Sequence, residues 1–176
     1  MGLQLAHTAD LEPAVLQAAR ALLDDAFDGD FSDHDWEHSL GGVHALVWDG
    51  PDLVGHAALV ARRLLHGGRA LRAGYVEGVA VSANQRRRGH ASVLMQALEG
   101  IAHRAYDLGA LSASSDGAAL YVARGWELWR GPTSAMTPAG IHATPDDDGS
   151  VYVLPGAVPL DLAGELSCDW REGDLW

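Results

Sequence analysis

Tyr75-Val76-Glu77-Gly78-Val79-Ala80-Val81 runs into Ser82-Ala83-Asn84-Gln85-Arg86-Arg87-Arg88-Gly89-His90-Ala91, and the reading of this stretch decides the fold. The apolar run from Leu71 to Val81 predicts a buried strand. Beyond the polar loop, Val93, Leu94, Ala97, Leu98 and Ile101 recur at helical spacing. A strand, a basic loop with a glycine and a helix N-terminus make an anion site on physical grounds. The first N–H groups of the helix are unpaired, and its dipole favours negative charge. Gly89 lets the backbone approach a ligand closely, and three arginines add charge-assisted bonds. The loop lacks the G-x-G-x-x-G of a dinucleotide fingerprint, and a chain without lysine holds no P-loop.

Outward from this stretch, Leu3 to His7 reads as a short strand. Asp10 is placed to cap a helix with Pro13 in its first turn, carried by Val15, Leu16, Ala19, Leu22, Leu23 and Ala26. Ser32 or Asp33 caps a shorter helix through Leu40, stopped by Gly41-Gly42. Val43 to Trp48 and Leu53 to Leu65 predict strands around Asp49-Gly50-Pro51-Asp52, and Gly67-Gly68 a second hairpin turn. Further on come a strand over Ala110 to Ser114, a helix capped by Ser115 or Asp116 and ended by Gly125, and strands over Trp126 to Trp129 and Val151 to Leu154. The tail from Pro155 to Trp176 shows no periodicity. The order βα(α)βββαβαβ predicts an α/β fold of the α+β type. Its central sheet is mixed and mostly antiparallel, with helices on both faces, in one domain over residues 1–176.

Charge is segregated along the chain. Residues 1–60 carry eleven acids and one base, residues 61–130 ten arginines and five acids, and residues 131–176 eight acids and one base, for a net charge of −12. A basic middle between acidic arms suggests one anionic and one cationic partner. The net charge speaks against general nucleic-acid binding. No stretch is long and apolar enough for a membrane span, no leader is visible, and the lone Cys168 excludes an intrachain disulfide. A cytoplasmic protein with no membrane or nucleic-acid partner is expected.

Arg86-x-x-Gly89-x-Ala91 fits the Q/R-x-x-G-x-G/A pyrophosphate signature of the GCN5-related N-acetyltransferases, and the chain resembles that family. Tyr121-Val122-Ala123-Arg124-Gly125-Trp126 is similar to its second landmark, a helical Tyr followed by Gly-Trp. Gly29-Asp30-Phe31, Asp35-Trp36-Glu37-His38, Gly131-Pro132-Thr133-Ser134, Thr144-Pro145-Asp146-Asp147-Asp148-Gly149, Cys168-Asp169-Trp170-Arg171 and Asp174-Leu175-Trp176 resemble the aminoglycoside 2'-N-acetyltransferases over nearly the whole chain. The loop Asn84 to His90 departs from that subfamily by its heavier arginine run.

The resemblance implies acetyl-CoA as donor, an acyl-CoA-binding core over about residues 70–130, and an acidic tail over 155–176 within the same domain. The loop Arg86, Arg87, Arg88, Gly89, His90 and Ala91 would hold the diphosphate. The backbone of Val79 and Val81 would bond the pantetheine arm as an added strand, and an N–H near Val79 would polarise the thioester carbonyl. Glu77 is the expected base, taking a proton from the attacking amine through water, and Tyr121 the expected acid for the leaving thiolate. Asp30, Asp35, Glu77, Ser112, Asp147, Asp174 and the terminal carboxylate of Trp176 match positions that would hold a polycationic aminoglycoside. The family resemblance also implies a homodimer.

His34-Asp35-Trp36-Glu37-His38 matches H-x-x-E-H, but zinc needs a third ligand and an open position, so no metal is expected. Ser112-Ala113-Ser114-Ser115 lacks the G-x-S-x-G elbow of a serine hydrolase. Two alternatives stay open beside aminoglycoside acetylation. One is acetylation of another cationic amine, such as a polyamine, a peptide N-terminus or a cell-wall precursor. The other is sequestration of cationic drugs without turnover.

Overall fold

The computed structural model describes residues 2–115 and 117–176. They form two compact units. One runs to Val60 and resumes over Val76–Gly100; the other holds Ala61–Tyr75 and Ile101–Trp176. Strands β3 (Asp52–His66) and β4 (Arg69–Val81) and helix α3 (His90–Ala105) contribute residues to both.

In the first unit the strand order is β1 (Gly2–His7), β2 (Val43–Asp49), β3, β4. β1 pairs antiparallel with β2 from Gly2↔Trp48 to His7↔Val43, and β2 with β3 from Val43↔Leu59 to Asp49↔Asp52. A Cβ at Gly42 would run into the Leu59 carbonyl oxygen, so only glycine lets the chain enter β2 this closely. Helix α1 (Pro13–Ala26) buries Ala19, Leu22 and Leu23, one face at the period read from sequence. Leu22 and Leu23 join Phe31 and Ala80 in a core cluster, with Trp36 and Leu53 packed against it. Arg20 on α1 reaches Asp24 at 2.7 Å, Asp33 at 3.1 Å and the Phe31 carbonyl at 3.2 Å. These bonds tether the loop that carries Asp30. Helix α2 (Asp33–His38) opens on a capping box: Ser32 Oγ accepts from Asp35 N–H, and Asp35 Oδ2 accepts from Ser32 N–H.

The second unit carries a sheet in the order β6-β9-β5-β4-β3-β10-β7-β8. Its later strands are β5 (Leu108–Ser112), β6 (Glu127–Leu128), β7 (Thr133–Thr137), β8 (Gly140–Ala143), β9 (Val151–Pro155) and β10 (Leu166–Asp169); helix α4 spans Ala118–Ala123. β4–β5 and β10–β7 pair parallel, whereas β10–β3, β5–β9, β6–β9 and β7–β8 pair antiparallel. The sheet is mixed and mostly antiparallel, as the element order predicts. Gly67 (φ +55°) and Gly68 (φ +73°) make the two-residue turn between β3 and β4, a conformation open to glycine at both positions. Val151, Val153, Leu108, Leu111 and Trp129 form the buried interior of this unit.

Sequence and structure differ at several boundaries. Asp10 lies in a 3₁₀ turn, Thr8–Asp10, and α1 starts after Glu12 with no side-chain cap; Pro13 at its first position suffices. Gly117, not Ser115, precedes α4, and Asp116 lies outside the described residues. β5 begins two residues earlier than expected, because the Arg72 carbonyl accepts from Asp107 N–H (2.8 Å) and starts the parallel pairing. The tail that shows no periodicity contains β10. Beside its ladders to β3 and β7 and the burial of Leu166 and Cys168, it has a polar anchor: Asp169 Oδ1 accepts from Arg62 Nε at 2.7 Å, and the Asp169 carbonyl from Arg62 Nη2 at 3.0 Å. The Arg62 guanidinium also stacks 4.6 Å from the Tyr75 ring centroid. Asp169→Ala would leave the buried Arg62 charge without its carboxylate and is expected to lower stability by about 3 kcal/mol in urea unfolding. A loss below about 0.5 kcal/mol, the size of an ordinary surface change, would show that this pair does not anchor the tail.

Candidate active site

In the first unit the chemistry-bearing residues surround a break in β4. Gly78 has φ +56° in mid-strand, a conformation that L side chains rarely adopt. A Cβ there would also stand 3.0 Å from Ser39 Oγ, 3.3 Å from Leu23 Cδ2 and 3.4 Å from His56 Cε1. A left-handed glycine in mid-strand is the mark of a G1-type bulge, which interrupts strict alternation and re-aims its neighbours. Glu77, Gly78, Val79 and Val81 are all half-buried. Within this unit β4 is the edge strand of the sheet, the position at which an extended ligand can add main-chain bonds.

The loop after β4 curls through a 3₁₀ turn, Ala83–Gln85, with Arg87 (φ +60°) and Gly89 (φ +87°) left-handed. Arg86, Arg87, Arg88 and Gly89 are exposed ahead of α3. Arg86 Nε donates to the Val81 carbonyl at 3.2 Å, which pins that side chain back onto the strand it follows. His90 differs from the expectation for a phosphate-binding side chain. Its ring is buried, and its Nε2 has no hydrogen-bond partner among the described residues, so His90 offers an anion its backbone N–H. Ala91 follows in the first turn of the same helix.

Under the bulge lies a feature that the sequence reading missed. His56 Nδ1 bonds the Gly78 carbonyl at 2.7 Å, His56 Nε2 meets His44 Nδ1 at 2.9 Å, and His44 Nε2 meets Thr8 Oγ1 at 2.9 Å. Both rings are fully buried, with Trp36 tilted against them at 6.5 and 6.4 Å. Burial pushes each imidazole down to about 4, with the Gly78 carbonyl pulling His56 the other way. The signal was an ordinary strand alternation, Ala45-x-Val47 and Ala57-x-Leu59 beside His44 and His56; nothing in one sequence says that two such histidines face each other.

Asp30 and Asp35 are also in this unit. Asp30 is exposed, whereas Asp35 is half-buried and already accepts two bonds from Ser32, at 2.8 Å each. His34 and His38 sit on the six-residue α2, and the described residues contain no group of three or more His, Cys, Asp or Glu side chains placed to hold a metal.

The second unit assembles the other expected residues into two groups. Tyr121, on α4, is buried against Trp126 (6.0 Å, edge-on) and Tyr152 (6.5 Å). Burial pushes its phenol up to about 12, so it stays protonated at neutral pH and is a donor. Gly125 (φ +86°) closes α4, and Trp126 N–H donates back to the Tyr121 carbonyl at 3.1 Å. The second group is acidic. Burial, followed by Asp174 and Asp146, holds the Asp147 carboxyl above its usual range, which puts Asp147 and Asp174 in one field. Ser150 Oγ donates to the Asp147 carbonyl at 2.8 Å and meets Ser112 Oγ at 3.0 Å. The buried Trp176 donates from Nε1 to Thr144 Oγ1 at 2.9 Å. Ser112, Asp147 and Trp176 are thus linked through Ser150, Thr144 and the short turn Pro145–Asp147, and Asp174 acts on Asp147 by its charge.

A GNAT acetyltransferase domain family matches residues 8–129. An aminoglycoside 2'-N-acetyltransferase of Mycolicibacterium fortuitum is 49% identical, over 98% of this chain and 91% of that protein. Among solved structures, Escherichia coli ElaA superposes with a TM-score of 0.60 at 17% identity, over 87% of this chain and 98% of that one. Eis1 of Mycobacterium abscessus gives 0.62 at 20% identity, over 76% of this chain and 34% of that one; the present chain spans about a third of several such longer neighbours. At these identities the structures speak for the fold alone.

The histidine pair sets a pH signature. Folded, both rings remain neutral until about 4; unfolded, they charge near 6.5. Between those values the unfolded chain binds protons that the folded chain does not, so stability rises with pH across this window. Urea midpoints are expected to climb from pH 4.5 to pH 7, and a His44→Phe/His56→Phe double variant to lose part of that slope. An unchanged slope in a folded double variant would contradict the burial argument.

Proposed function

From this chain's membership of the GNAT acetyltransferase family, we propose that it moves the acetyl group of acetyl-CoA to the 2'-amine of an aminoglycoside by direct attack of the amine on the thioester. One observation carries the reading: the bulged edge strand Glu77–Val81 continues without interruption into the arginine loop and the start of α3. In this reading residues 1–176 act as one acetyltransferase domain.

The residues divide the work by their chemistry. Val79 and Val81 bond the pantetheine arm along the strand edge. The N–H groups of Gly89, His90 and Ala91, with Arg86, Arg87 and Arg88, hold the diphosphate. An ammonium has no lone pair, so the incoming amine must lose a proton; Glu77 takes it through water. The nitrogen then bonds the carbonyl carbon, and the oxygen gains charge that the Val79 N–H stabilises. The carbonyl re-forms, the C–S bond breaks, and Tyr121 gives its proton to the departing sulfur; the second proton leaves the acylated nitrogen, which becomes the neutral amide, and Tyr121 is reprotonated from solvent. Asp30, Asp35, Asp147, Asp174, the Trp176 carboxylate and Ser112 hold the remaining ammonium and hydroxyl groups, a binding that salt weakens. The 49%-identical relative supports the aminoglycoside, and the Asp147–Asp174 field supports a polycation. That field would also suit a polyamine.

Thiol release from acetyl-CoA is therefore expected with an aminoglycoside bearing a 2'-amine and not with its 2'-hydroxyl counterpart. Turnover with both would move the target nitrogen, and turnover with polyamines alone would replace the acceptor. Glu77→Gln and Tyr121→Phe are each expected to lower kcat/KM by about 10²–10³-fold; either variant with full turnover would remove that residue from its role.

A further inference from the structure

The hydrogen bonds beneath Gly78 run in one direction, and the chemistry of the atoms says which. A carbonyl only accepts, so His56 Nδ1 carries the proton that it shares with Gly78 at 2.7 Å. The ring is neutral, so His56 Nε2 is bare and accepts, which requires the proton on His44 Nδ1. His44 Nε2 is then bare as well and accepts from the Thr8 hydroxyl at 2.9 Å, a shorter contact for that single proton than the Gly42 carbonyl at 3.3 Å. Thr8 is itself held by Gly41 N–H, which donates to Oγ1 at 2.9 Å. Thr8, His44, His56 and Gly78 thus form a chain from the β1 end to the bulge.

The peptide unit that ends this chain has two functional ends. A trans peptide is planar, and its C=O and N–H point in opposite directions. The carbonyl belongs to Gly78; the N–H belongs to Val79. A bond accepted by the carbonyl therefore fixes the direction of the Val79 N–H and, by polarising the amide, strengthens it as a donor. Of the two glycines of β4, Gly74 and Gly78, it is Gly78 that is held left-handed, so its peptide is the one in greatest need of such a hold.

We propose that His56 is a positioning residue for acetyl transfer: its Nδ1–H holds the Gly78 carbonyl and thereby aims the Val79 N–H at the thioester oxygen, with His44 and Thr8 setting its tautomer. The proposal rests on the acetyltransferase reading above and adds to it a group that touches neither substrate. The rings act without changing charge.

Asparagine places its side-chain N–H near the position of imidazole Nδ1, whereas leucine fills space without a donor. His56→Leu is expected to lower kcat about 30-fold, less than the loss of an oxyanion donor itself, with both KM values within about 3-fold of wild type. His56→Asn is expected to keep kcat within about 3-fold. Equal losses in the two variants, or no loss in a folded His56→Leu, would overturn the proposal. Nitrogen-15 spectra of the wild-type protein read it without any acceptor. Both rings are expected as Nδ1–H tautomers, and the Val79 amide proton is expected to move downfield when acetyl-CoA is added. A His56 proton on Nε2, or a Val79 amide indifferent to acetyl-CoA, would overturn it even if His56→Leu does not fold. A wild-type protein that responds to acetyl-CoA in this way but releases no thiol with aminoglycosides would instead sink the acceptor reading and leave the positioning role intact.

Discussion

The left-handed turn of β4 at Gly78 is the constraint around which the first unit is built. Three elements close on it: Leu23 from α1, Ser39 from the end of α2 and His56 from β3 all stand within 3.4 Å of where a Cβ would be. Packing that tight leaves no room for a side chain, and the dihedral excludes most of them anyway. The bulge carries a cost in strand regularity. In return it sets an ionisable side chain, Glu77, and a main-chain donor, Val79, on either side of one glycine. Helices α1 and α2 and the buried imidazoles then serve as its mould, since the fixed Gly78 carbonyl needs a donor and buried imidazoles need partners.

Charge in this molecule is arranged by how each group is compensated. Arg62 is buried and paired, and its neighbours Asp169 and Tyr75 make it part of the scaffold. Arg72 is matched by Asp107, whose carboxyl is held low by two bonds from it. The arginines of the loop after β4 are exposed; Arg86 is bonded back to the Val81 carbonyl, and Arg87 and Arg88 present their forks to a ligand. Among the acids, Asp35 is bound into a helix cap, whereas Asp147 is destabilised in its ionised form first by burial and then by neighbouring carboxylates. A cation entering that field relieves the repulsion, which is how an acidic group becomes a binding group instead of a solvated surface.

The helices with long apolar faces, α1 and α3, and the hairpins at Gly50-Pro51 and Gly67-Gly68 were legible because their signals are local: a period, a helix-starting proline, residues that tolerate a turn. So was the run from Tyr75 to Ala91. The short late strands were not. β7, β8 and β10 are four or five residues long, and β10 is held by Arg62, more than a hundred positions away in the chain. A four-residue segment has no period to read, and its partner lies beyond any window.

The same division holds for the chemistry. The sequence by itself determined the mixed sheet, the anion loop ahead of α3, the family resemblance and the identity of the ionisable groups, because those follow from residue type and near spacing. Only the tertiary structure decided that Asp35 is a capping carboxylate, that the His90 ring faces inward, and that Asp147 shares a field with Asp174. It alone brought Thr8, His44, His56 and Gly78 into one hydrogen-bonded chain. Each of these depends on which side chains meet across strands and turns. That is settled by packing and by the need to satisfy buried polar groups, neither of which is written in the order of the residues.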